Sequence, residues 1–185
     1  MQYDDNQLIN RILDGAVQEY SILINRHKDL AFTLAYRLLN NREDAEEAVQ
    51  DAFVKAYRNL RGFRQDSKFS TWLFRIVYNT AISKKRSRKT GFQWIDELPF
   101  VKENPDRSSE EEDMMAERGS MLDRALQRLS EDERVLITLF YINESTVEEI
   151  HGITGLSKSN IKVKLFRARK KLQDLVGLMA QSVYI

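Results

Sequence analysis

Phe74, Arg75, Tyr78 and Asn79 fall within six residues of chain, and Lys84, Lys85, Arg86, Arg88 and Lys89 follow with no acid among them. The chemistry these side chains offer is capture rather than bond making. Aromatic faces stack on unpaired bases, a flat amide reads a base edge, and cations hold the phosphates between them. Just upstream, Arg61, Phe63, Arg64, Gln65, Asp66 and Lys68 surround Gly62 in a short polar stretch. Groups of these types suit a pocket for one extruded base. A second basic set lies near the C-terminus: Lys158, Ser159, Asn160, Lys162, Val163, Lys164, Arg167 and Lys170. A third set has the opposite sign. Asp44, Glu47, Gln50, Asp51 and Val54 recur at helical spacing, an acidic strip with one exposed apolar residue, which suits docking of a basic partner helix.

Bond-making chemistry has little to work with. The 185 residues include no Cys, and the two histidines, His27 and His151, lie far apart. Disulfides and thiolate metal sites are excluded, and a histidine triad or zinc site is not expected. No glycine-rich phosphate loop occurs. We therefore expect no catalytic residue, no metal site and no cofactor. Lys plus Arg number 29 against 28 Asp plus Glu, for a net charge of +1, so the signs balance overall but are segregated along the chain. The N-terminal MQYDDNQL lacks the order of a signal peptide, and no apolar run approaches the roughly 20 residues that span a bilayer. These features fit a cytoplasmic protein without membrane insertion.

The elements that must position these residues are helical throughout. A short helix over 6–13 ends at Asp14-Gly15, and a long amphipathic one runs over 16–39. Asn40-Asn41 stops it and caps a helix over 42–60, whose Ala45, Ala48, Val49, Ala52, Phe53, Ala56 and Leu60 face inward. The stretch from Phe69 to Lys89 forms the central helix. Phe69, Trp72, Leu73, Ile76, Val77 and Thr80 make its core face, while Phe74 and Tyr78 are expected to point outward and Phe63 to be exposed.

Residues 90–114 hold both prolines, Pro99 and Pro105, and the run Glu110-Glu111-Glu112-Asp113; they read as a linker with a short ordered piece around 94–100. Helical pattern resumes at Met115, with Met121, Leu122, Ala125, Leu126 and Leu129 inward. Ser130/Glu133 and Thr146/Glu149 are capping-box pairs opening helices over 132–141 and after 146. Thr154-Gly155-Leu156-Ser157 then turns into a last long basic helix, a helix-turn-helix pattern.

Two stretches carry a resemblance. DAEEAVQDAFVKAYRNLRGFRQDSKFSTWLFRIVYNTAISKKRSRK (44–89) resembles region 2 of bacterial sigma factors of the extracytoplasmic-function group, and LSEDERVLITLFYINESTVEEIHGITGLSKSNIKVKLFRARKKL (129–172) resembles their region 4. Both in this order, with a linker between, make the resemblance specific. It implies an all-α, two-domain chain: region 2 over 1–90, a linker over 91–114 and region 4 over 115–185.

It further implies a transcription initiation factor whose partners are core RNA polymerase, through the largest-subunit clamp helices and the flap, and promoter DNA. An anti-sigma factor is a further partner that the resemblance leaves open. Asp44, Glu47, Gln50, Asp51 and Val54 would meet polymerase. Arg61, Phe63, Arg64, Lys68, Trp72, Phe74, Arg75, Tyr78, Asn79, Lys85 and Arg86 would engage the melted −10 element. Lys158, Ser159, Asn160, Lys162, Val163, Lys164, Arg167 and Lys170 would meet the −35 duplex. Ser130, His151, Asn160 and Phe166 depart from the usual residues of that family, so no promoter sequence carries over. The competing reading is a stand-alone helix-turn-helix regulator of duplex DNA, which leaves the 69–89 stretch without a role.

Overall fold

The computed structural model describes residues 3–90 and 124–182, and every regular element among them is helical. The linker over 91–114, its piece around 94–100, and Met115, Met121 and Leu122 lie outside the described residues.

Helix α1, Asp5–Leu13, starts on a capping box in which Asp4 accepts from the Gln7 amide and the Gln7 side chain accepts from the Asp4 amide. Gly15, at φ +114°, turns the chain where a side chain would be strained. That turn and the 3-10 turn Val17–Glu19 delay α2, which runs from Tyr20 to Leu39 rather than from residue 16. Asn40 ends α2 in the left-handed conformation, and the Asn41 side chain accepts from the Asp44 amide to open α3, Arg42–Arg58.

Along α3, Ala45, Ala48, Ala52 and Ala56 are fully buried, so the backbones of neighbouring helices come close. Helix α4, Phe69–Thr90, packs against both α2 and α3, with Leu73, Val77 and Ala81 fully buried between them. Trp72 and Ile76 sit at the rim, half-buried.

The second half has a helical segment at 124–127, then α5, Glu131–Ile137. The expected helix over 132–141 widens into a π turn at Thr138–Ile142, closed by the Asn143 amide donating to the Thr138 carbonyl at 3.0 Å. Helix α6, Val147–Thr154, ends on Gly155 at φ +74°, and α7, Lys158–Ser182, follows with Ser157 accepting from the Asn160 amide. Both capping boxes, Ser130/Glu133 and Thr146/Glu149, form. Ile150, Ile153, Ile161, Leu165 and Ala168 bury the seam between α6 and α7.

The two halves share one hydrophobic cluster, because α6 lies on α4 while α5 and its π turn lie on α2. Two expectations are corrected by this packing. Phe74 is 2% exposed, since α2 covers its side of α4 and His27 meets its ring edge-on at 6.4 Å. Phe63 is 7% exposed, drawn into an aromatic cluster with Phe69 and Trp72 at ring separations of 5.8 and 5.2 Å. A ring left in water forfeits the burial of its whole apolar surface, so the loop folds it inward.

Candidate nucleic-acid interface

With Phe63 and Phe74 in the core, the outward groups of the −10 set are mostly polar. Arg61, Arg64, Lys68, Arg75, Asn79 and Arg86 are exposed, and Trp72, Tyr78 and Lys85 half-buried. Trp72 and Asn79 line a groove of about 620 Å³ between α3 and α4, together with Lys55, Arg58, Asn59, Ile76 and Ser83. The walls thus offer an aromatic edge, two amides and two cations, which suits a base with its phosphate.

Lys55 and Asn59 were not singled out in the sequence, and Arg58 was expected only on the outer face of the 42–60 helix. Lys55 and Arg58 sit on α3 and Asn59 caps its end, and only the α3–α4 packing brings them to Asn79. Lys55 donates to the Thr80 hydroxyl at 3.2 Å, so its ammonium is held at the groove floor. The 61–68 loop is fixed from outside: Gln65, at φ +59°, donates to the Asn10 side chain at 2.9 Å. Arg64 pairs with Asp66 at 3.2 Å.

Part of this surface faces the other half of the chain. Arg75 and Asn79 share a cavity of about 320 Å³ with His151 and Gly152 of α6 and with Gly155, which caps it. Lys68 pairs with Glu149 at 3.0 Å, the Thr71 hydroxyl donates to the same carboxylate at 3.4 Å, and Lys85 pairs with Glu131. Burial pushes the Glu149 carboxyl up, but the Thr146 amide and the Lys68 ammonium outweigh it and hold the group below its usual range. The Tyr78 phenol moves the other way: burial raises it, and Asp132 nearby adds to the shift.

The α3 strip divides. Gln50, Asp51 and Val54 are exposed, Val54 at 49%, and Tyr57 beside them is 40% exposed. Glu47 is exposed but pairs with Lys84 at 2.5 Å. Asp44 is corrected as a member of an outward strip: it is 7% exposed, with Lys84 at 3.6 Å and Arg88 paired on its other oxygen. The basic end of α4 folds over the start of α3 and takes that carboxylate.

On α7, Lys158 pairs with Glu148 at 2.9 Å, and Lys164 with Asp132. The Glu148 carboxyl is held low mainly by its bond from Lys158. Ser159, Asn160, Lys162, Val163, Arg167 and Lys170 are exposed. Arg169, by contrast, lies over the Phe140 and Tyr141 rings, 5.8 and 5.9 Å from their centres. Among the described residues no helix is long and apolar enough to cross a membrane, and no cluster of three or more potential metal ligands occurs.

Two family models match. Sigma-70 region 2 covers residues 23–90 and sigma-70 region 4 covers residues 120–172. The chain is 31% identical to the extracytoplasmic-function RNA polymerase sigma-E factor of Escherichia coli K12 over 95% of each chain. It is 28% identical to the sigma factor SigW of Bacillus subtilis strain 168, over 90% of this chain and 96% of that one. Among solved structures it is similar to CnrH in complex with the cytosolic domain of CnrY, with a TM-score of 0.64, 25% identity, and coverage of 92% of this chain and 96% of that one. The fold is also that of RpoE in its complex with the anti-sigma factor NepR from Bartonella quintana, with a TM-score of 0.65, 24% identity, and coverage of 86% and 98%. Region 2 and region 4 matches in that order, with 31% identity to an extracytoplasmic-function sigma factor over 95% of each chain, place this protein among the extracytoplasmic-function sigma factors of the sigma-70 family.

Proposed function

We propose that this chain binds core RNA polymerase and directs it to promoters, reading a −35 duplex with α7 and capturing melted −10 bases in the α3–α4 groove. The observation that carries the reading is the groove itself, where Trp72 and Asn79 meet Lys55 and Arg58 around a space of about 620 Å³. A duplex-only regulator has no use for a groove lined by an aromatic ring, amides and cations apart from its helix-turn-helix. Polymerase docks on the exposed face of α3, through Gln50, Asp51 and Val54 with Glu47 at its edge. An anti-sigma factor is a partner of the same surfaces.

The chain performs no bond chemistry and acts in the cytoplasm, where polymerase works. Opening is driven by binding: contacts to extruded bases offset the cost of unpairing. Run-off transcription with core polymerase on a promoter library tests the reading. Polymerase plus this chain should yield defined starts with shared −10 and −35 sequences. Duplex binding without new starts would favour the stand-alone regulator.

A further inference from the structure

Between the buried rings of Phe63 and Phe69, residues 64–68 cross the surface, all of them exposed. Gln65 opens the bend in this stretch in the left-handed conformation, at φ +59°, which a residue with a Cβ adopts only at a cost. Asn and Asp tolerate that region through local hydrogen bonds of their short side chains, and glutamine is a carbon too long to do the same. A contact from outside the stretch supplies what is missing. The Gln65 side chain donates to the Asn10 side-chain oxygen at 2.9 Å, across from the loop to α1.

Asn10 stands on a firm base. Helix α1 buries Leu8, Ile9 and Ile12, and its first residue, Asp5, accepts from Arg26 of α2 at 2.9 Å while His27 lies 2.7 Å from its other oxygen. The His27 ring in turn meets Phe69 edge-on at 5.5 Å, so the helix that carries Asn10 is fastened to the aromatic cluster that anchors both ends of the loop. The Asn10 side chain itself is exposed and supports none of that core. It also precedes the residues that match region 2, which begin at 23.

The tie therefore acts on loop shape rather than on stability. A left-handed residue sets the direction in which the chain turns, so a return of Gln65 to negative φ would re-aim Arg64 and Asp66 on either side of it and displace Lys68 at the entry to α4. Arg64 and Lys68 belong to the −10 set. We propose that Asn10 is a positioning residue for −10 recognition, which acts through Gln65 to hold the 63–68 loop in the shape that meets the melted strand. The proposal rests on the assignment of that loop to the −10 element.

The test uses polymerase carrying the full chain and a promoter recovered from the run-off selection, with its −10 bases unpaired, alongside single-base variants of it. Asn10→Ala should weaken binding about fivefold, the worth of one neutral hydrogen bond, and flatten the base preference at −10. Its melting temperature and −35 duplex binding should match those of the unaltered chain. Asn10→Asp keeps the acceptor oxygen and should restore both affinity and preference. Gln65→Gly adopts the left-handed conformation freely, so Asn10→Ala added to it should have no further effect. An unchanged −10 preference in Asn10→Ala, the same drop in the Gln65→Gly background, or an equal loss of −35 binding would overturn the proposal and leave the loop's assignment in place. If Arg64→Ala with Lys68→Ala leaves binding of the unpaired strand unchanged, the loop itself leaves the −10 site and the proposal goes with it.

Discussion

Asp44 and Asp51 lie two turns apart on α3, yet the structure gives them different work. Asp44 is 7% exposed between Lys84 and Arg88, whereas Asp51 is exposed. Asp44→Ala should therefore destabilise the chain by about 1–3 kcal/mol, because it leaves cations facing an empty buried position. Asp51→Arg should change stability by less than about 0.5 kcal/mol but weaken polymerase binding. Thermal melts and core-binding titrations of the two variants check both halves, and the reverse pattern would remove α3 from the docking role. Asn79 needs a finer comparison. It is exposed in the α3–α4 groove, so Asn79→Ala should spare folding and −35 binding yet cost roughly 1–3 kcal/mol in open-complex formation. That is about one to two powers of ten. Transcription from an ordinary promoter and from one carrying a pre-melted −10 bubble should both fall. Normal output from both would mean that the groove holds DNA by charge alone.

The helices themselves follow from local rules, and the α3–α4 seam shows how far those rules reach. Ala48, Ala52 and Ala56 recur at helical spacing and are fully buried, as their small size and period predict. Ala52→Leu should push α4 away and cost about 1–3 kcal/mol, with lower groove occupancy by single-stranded DNA even below the melting temperature. A variant with unchanged melting and binding would show that the seam has slack. The capping boxes, the Asn40-Asn41 break and the helix-turn-helix were legible for the same reason: each is settled by residues within one turn. Phe74 and Phe63 were not, because what covers them comes from α2 and from the aromatic cluster of the neighbouring loop and helix. Periodicity assigns a face to a helix but does not count how many neighbours that helix has. The place of Lys55 and Arg58 beside Asn79 escaped for a related reason, since it exists only once α3 and α4 pack. The π turn at Thr138–Ile142 has no residue-level signature that we can identify, beyond the change of pairing that closes it.

At the scale of the whole molecule, a net charge of +1 arises from opposed surfaces that meet inside the chain. The contact between the halves has an apolar part, the shared cluster beneath α2 and α4, and a polar rim made by Lys68–Glu149 and Lys85–Glu131. The rim is partly open to water: the Lys68 side chain is 69% exposed and that of Glu149 16%, and the Lys85 and Glu131 side chains are 31% and 29% exposed. Pairs so exposed are weak individually and sensitive to salt, whereas the apolar part is not screened. The balance between the two is open to measurement because the chain has no Cys, so a label pair placed at Glu43→Cys and Gln173→Cys reports one distance across the halves. Energy transfer between the labels should be well defined at low ionic strength and should shift as salt rises toward 1 M, where screening acts within about 3 Å. The melting profile should change in parallel, from a single coupled transition to two. Transfer that stays constant to 1 M would assign the cohesion of the halves to the apolar cluster, leaving the ion pairs to set only how α6 is oriented on α4.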